Sequence, residues 1–157
     1  MFRVLLCLSF LFSTVVFAES KGKLDMQLSK ILAETNKCFE KAFSTIEMKE
    51  CTGEQLVSSD NLLNQVYKAR VNALKGQAQD EKGLDELSKT GEETLRRLII
   101  AQKAWIVFRD ADCSLQAANM LNGTGESLIE LGCLAKKTFD RIKEISLDSD
   151  SEGDIAH

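Results

Sequence analysis

Apolar positions recur with helical spacing over most of this chain. Leu24, Leu28, Ile31, Thr35 and Cys38 lie three or four residues apart, while Lys30, Glu34, Lys37 and Lys41 fall between them. That pattern predicts a helix with one buried face. Ser44-Thr45-Ile46-Glu47 and Thr52-Gly53-Glu54-Gln55 both have the form of a capping box, in which a hydroxyl and an acid or amide satisfy free N–H groups at a helix start. The first predicts a short helical turn ending near Cys51. The second predicts the opening of a long helix with Leu56, Leu63, Val66, Tyr67 and Leu74 on one side. Gly76 to Gly91 interrupts the periodicity, and Leu84 and Leu87 are placed for a short turn of helix within it.

A third long helix is predicted from about Thr94 to Leu121. Leu95, Leu98, Gln102, Trp105, Arg109, Asp112 and Gln116 lie along one stripe, with Ile99, Ile106 and Cys113 beside it. Asn122-Gly123-Thr124-Gly125 reads as a turn. A fourth helix follows from about Ser127 to Leu147, with Leu134, Thr138, Arg141, Ile142 and Ile145 facing inward. The fold class expected is all-α, a small antiparallel bundle of about four helices. Residues 148–157 are acidic and poor in apolar side chains, which predicts a disordered tail.

The first residues follow a different rule. Arg3 precedes an apolar run from Val4 to Ala18, and Val16-Phe17-Ala18 fits the small-x-small pattern of a cleavage site. Residues 1–18 therefore read as a secretory signal, with the mature chain starting at Glu19. The run is short for a membrane span and charged residues follow it, so no span is expected after cleavage; a retained anchor is the alternative. Cys7 sits inside the apolar run without preceding small residues and is expected to leave with the signal.

Charge narrows the choice of partner. The chain carries 20 basic and 24 acidic residues, so loss of Arg3 with the signal leaves 19 basic and a net charge of −5. Between Gly76 and Thr94, Asp80, Glu81, Asp85, Glu86, Glu92 and Glu93 outnumber Lys82 and Lys89. No basic stripe with interleaved aromatics appears, which argues against nucleic acid.

Cys38, Cys51, Cys113 and Cys133 remain after signal removal. An even count in a small exported chain points to disulfides. Cys113 lies ten residues before Gly123 and Cys133 ten after it, while Cys38 and Cys51 flank the first short connection. This spacing favours Cys38–Cys51 and Cys113–Cys133 over the other two pairings. With one histidine, His157 at the chain end, and no C-x-x-C pair, a metal site is not expected.

The same histidine count removes Ser-His-Asp and Cys-His schemes. Asp110 and Asp112 form a dense acidic pair, but residues two apart on a helix point in different directions and do not flank one bond. No enzyme and no cofactor are expected. Charged residues embedded near Trp105 have a structural reading: the Arg109 stem lies over Trp105 or Phe108 and its head meets a carboxylate or a helix end. Direct partner binding is the alternative.

Gln102 through Cys113 resembles the signature of the LprI-like lysozyme-inhibitor family, Gln-(basic)-Ala-Trp-x-x-Phe-Arg-Asp-Ala-x-Cys, with Gln102, Trp105, Phe108, Arg109 and Asp110 in register. Cys38 followed by Glu47-Met48 and Cys51, then Asp60, Leu63-Asn64 and Tyr67, and finally Cys133, Thr138 and Arg141 are similar to its other motifs. The resemblance covers Cys38 to about Leu147, and residues 22–37 fall outside it. It implies an exported helical domain, residues 19–147, with paired cysteines and a protein partner such as lysozyme. Many lysozymes are strongly basic, so the acidic segment is the candidate contact, with Glu81, Asp85 and Glu86 as its residues. An immunity or envelope-stress factor binding another protein, or a structural envelope protein, is the alternative.

Overall fold

Residues 22–39 form the first helix, α1, whose inward stripe is the one the periodicity predicts: Leu28, Ile31 and Thr35 are buried and Leu24 is half-buried. The computed structural model describes residues 22–83, 90–123 and 125–147. The signal at 1–18, the tail at 148–157, the Leu84–Leu87 turn, Thr124 of the predicted turn, Asp85, Glu86 and His157 lie outside the described residues.

The second helix, α2, spans Thr45–Asp80 and begins at the first capping box. The Glu47 N–H donates to Ser44 Oγ at 3.2 Å, and the Ser44 and Phe43 N–H groups donate back to Glu47 Oε2 at 2.9 and 2.8 Å. These bonds, that of Phe43 foremost, hold the Glu47 carboxyl below the usual range.

The second capping box is not used. One helix runs through Thr52 and Gly53, and the Thr52 hydroxyl donates to the Met48 carbonyl at 2.8 Å. A side chain turned back on the preceding turn does not cap the turn ahead. The break expected at Gly76 also does not occur, since α2 continues to Asp80. A mid-helix glycine costs about 1 kcal/mol relative to alanine, which tertiary packing can outweigh. That packing is visible at Gly91: a Cβ there would sit 2.7 Å from the Ala78 backbone nitrogen, so the end of α2 and the start of α3 meet backbone to backbone.

The third helix, α3, spans Gly91–Ala117 and tightens into a 3-10 turn at Ala118–Met120. Its start precedes the predicted Thr94 because Gly91 makes that contact. Asn122 then takes a φ of 63°, a left-handed conformation that asparagine tolerates better than most residues. The fourth helix, α4, spans Glu126–Leu147, and Glu126 Oε2 accepts from the Asn122 N–H at 3.0 Å.

α4 packs more extensively on α2 than on α3. Phe139, Ile142 and Ile145 of α4 meet Leu62 and Leu63 of α2 and Leu28 and Ile31 of α1, with Val66, Tyr67 and Trp105 at the margin. Among the described residues the fold is helical without strands, and Cys38–Cys51 and Cys113–Cys133 are paired with Cα separations of 5.7 and 5.4 Å. Among the described residues, no helix is long and apolar enough to cross a membrane.

Candidate functional site

Three helices converge on Arg109. From α3 its Nη1 donates to Asp60 Oδ1 of α2 at 2.8 Å and to Thr138 Oγ1 of α4 at 3.0 Å, and the Thr138 hydroxyl donates to the same Asp60 oxygen at 3.2 Å. Its Nε donates to Asp110 Oδ1 at 2.9 Å. The Arg109 side chain is 12% exposed, and Thr138 is fully buried. One guanidinium thus bridges two carboxylates, Asp60 of α2 and Asp110 of α3.

Trp105 lies one turn before Arg109, and the two side chains share the inner face of α3. The Arg109 guanidinium is 5.1 Å from the Trp105 ring centre and that of Arg141 is 5.7 Å away, both within cation–π range. Arg141 Nε donates to Gln102 Oε1 at 3.0 Å and its Nη1 to Glu144 Oε2 at 3.0 Å. Gln102, Trp105, Arg109 and Cys113, spaced three and four apart, therefore form the inner stripe. Gln116, assigned to the same stripe, is exposed, because the inner stripe continues from Cys113 to Ala117, both buried, and position 116 falls to its side. Beyond Arg109, Lys137 Nζ pairs with Asp112 at 3.0 Å and lies 4.9 Å from the Phe108 ring centre. This lysine, with a bond from Gln116, holds the Asp112 carboxyl below its usual range.

The remaining motif residues lie elsewhere. Glu47 caps α2, Met48 is half-buried next to it, Leu63 is core and Tyr67 packs at the core margin. Asn64 is exposed on α2 and takes no part in the Arg109 network.

Of the acidic candidates, Glu81 has a definite place. Its Oε2 accepts from the Gly91 N–H at 2.8 Å, and its Oε1 accepts from Thr90 Oγ1 at 3.0 Å and Gln77 Nε2 at 3.1 Å. It serves α3 as a cap supplied from the end of α2, since Thr90 makes no side-chain cap of its own. The Gly91 N–H, followed by these side-chain bonds, draws the Glu81 carboxyl below the usual glutamate range. Sequence reading missed this clasp because its members meet only once α2 and α3 have docked.

No group of three or more His, Cys, Asp or Glu side chains is arranged for a metal among the described residues. A cleft between α1 and α2 lined by Ile31, Thr35, Glu54 and Gln55 holds about 60 Å³, room for little beyond water and far below the roughly 300 Å³ at which ligand pockets begin.

A family model described as "Lysozyme inhibitor LprI" matches residues 38–145. The chain belongs to the LprI family. The matched range includes both bridges and every residue of the Arg109 network, and it leaves out α1 up to Cys38, which adds Leu28 and Ile31 to the LprI core. A protein of Rhizobium meliloti (strain 1021) described as uncharacterized is 33% identical over 105 residues, covering 67% of this chain and 73% of its own length. No solved structure matches.

Proposed function

We propose that this LprI-family chain is an exported binding protein that inhibits lysozyme or a related cell-wall hydrolase. The family match supports the inhibitor reading. The observation that supports the non-enzymatic part is the engagement of the polar motif with itself: Asp60, Arg109 and Thr138 bond together across three helices, and Arg141 of α4 bonds Gln102 of α3. These side chains hold a scaffold, and recognition falls to its surface. The apolar leader directs the chain to the periplasm or the exterior, where cell-wall hydrolases act and disulfides persist. The acidic stretch around Asp85 and Glu86 steers it toward basic enzymes. The test is turnover of cell wall by lysozyme with increasing mature, oxidised protein. Dose-dependent inhibition is expected; undiminished turnover at low salt and large excess overturns the reading.

A further inference from the structure

The polarity of α3 is reversed. Its inner stripe carries Gln102 and Arg109, while its outer face carries Ile100, Ala104, Val107, Ala111 and Leu115 at spacings of four, three, four and four. Ile100 is 53% exposed, and Val107 and Leu115 are each 70% exposed. At 1.5 Å per residue this apolar stripe is about 22 Å long, and the position of each member gives a ridge suited to another helix. None of it contributes to the bundle core. A helix apolar on the side away from its own core is expected to have a second partner.

We infer that this face pairs antiparallel with α3 of a second copy. The stripe is complementary to itself in size and charge. With the pair centred between Trp105 and Ile106, Ile100 comes level with Ala111 of the partner subunit, and Ala104 with Val107 of the partner subunit. Large thus meets small in each layer, as interdigitated helices require. Lys103 and Asp110 lie on the same flank of the stripe, and two-fold antiparallel packing sets like flanks together. Lys103 then comes within a turn of Asp110 of the partner subunit, twice per dimer. At each end Leu115, on the opposite flank, comes within a turn of Arg97 of the partner subunit, whose aliphatic stem suits an apolar neighbour. The acidic tail, with Ile155 as its one large apolar residue, lacks the side chains to cover this stripe. The face reaches only the low end of specific interfaces, on the order of 1,000 Å² in total, so the dimer is reversible.

Sedimentation equilibrium of the mature, oxidised protein from micromolar to millimolar concentration tests this. A concentration-dependent dimer is expected. Val107→Glu, and separately Ile100→Glu, should shift dissociation at least tenfold toward monomer with helicity and thermal midpoint retained. Val57→Glu, an equally exposed change on α2, should leave the dimer intact, and Lys103→Glu should weaken it less as salt rises. A protein monomeric throughout, or a dimer indifferent to both α3 variants, overturns the inference. So does a monomer whose Val107→Glu variant loses lysozyme binding, since the face then belongs to the hydrolase. Dimerisation is independent of inhibition, so either reading can fail without the other.

Discussion

Arg109 and Asp60, 49 residues apart in the chain, are joined by a 2.8 Å contact between Nη1 and Oδ1. Thr138 completes the triangle from α4. Since these three come from different helices, the network sets the mutual register of α2, α3 and α4. The Arg109→Ala variant leaves Asp60 and Thr138 without this partner, and about 1–3 kcal/mol of stability should be lost. The value is held down because the Asp60 side chain is partly open to water. Arg109→Lys should recover little, because one ammonium lacks the planar fork that serves Asp60, Thr138 and Asp110 together. Urea unfolding of both variants checks this; full recovery by lysine would mean that charge alone suffices.

Trp105 is half-buried at the core margin beneath two guanidinium groups. Trp105→Ala removes packing against the core and both ring contacts, and should destabilise by roughly 2–4 kcal/mol, somewhat below a fully buried tryptophan. Unchanged thermal unfolding would place the ring's role in recognition instead.

Arg109 meeting a carboxylate was legible from its place beside Trp105, but the identity of that carboxylate was not, because nothing in the sequence spacing links residue 60 to residue 109. The α1 stripe was legible because Leu28, Ile31 and Thr35 follow a single period. The start of α2 was not. Thr52-Gly53-Glu54-Gln55 has capping-box form, but a helix already started at Ser44 has no free N–H groups there to satisfy, so a local motif lost to helix continuity. Glu81 reads as surface charge until α3 is docked beside it. The outer face of α3 was hidden by the assumption that apolar residues point inward. Ile106, placed beside the buried stripe, is exposed.

The two bridges close loops with separations of 13 and 20 residues. Each should contribute about 3 kcal/mol through the unfolded chain. Mass spectrometry of the exported protein without reductant should find Cys38 linked to Cys51 and Cys113 linked to Cys133, and reduction should lower the thermal midpoint. Two or more free thiols in that material would contradict the pairing.

Acid should loosen the joint between α2 and α3. The Glu81 carboxyl titrates below its ordinary 4.5, drawn down first by the Gly91 N–H. Within α3 and apart from that joint, Glu93 is lowered to about 2 by Arg96 and then Arg97, so its ion pairs are lost over the same acid range. A group with a depressed folded pKa contributes stability above its unfolded pKa and loses it as pH falls through the folded one. Stability should therefore hold from pH 7 to about 4.5 and decline toward pH 2. Glu81→Gln should lower stability at pH 7 and make the acid decline shallower. Thermal midpoints across this range decide it, and an unaltered profile in the variant would remove Glu81 from the account.

Glu81 is committed to α3, which changes how the acidic segment must be tested. Neutralising Glu81 together with Asp85 and Glu86 would disturb the helix start as well as the charge. The clean variant is Asp85→Asn with Glu86→Gln. If this stretch steers the protein to a basic hydrolase, association should slow as salt rises, because exposed charges are screened over about 8–10 Å at physiological ionic strength. The double variant should lower the association rate more than it raises the dissociation rate, since steering acts on encounter. Asp148→Asn with Glu152→Gln in the tail removes the same two negative charges and serves as the matched charge control. Surface plasmon resonance against lysozyme over a salt series separates the cases. A selective loss in the double variant assigns the contact to this segment. Equal losses from both changes would show attraction to net charge without a site, and Asp85 and Glu86 would then have no special claim.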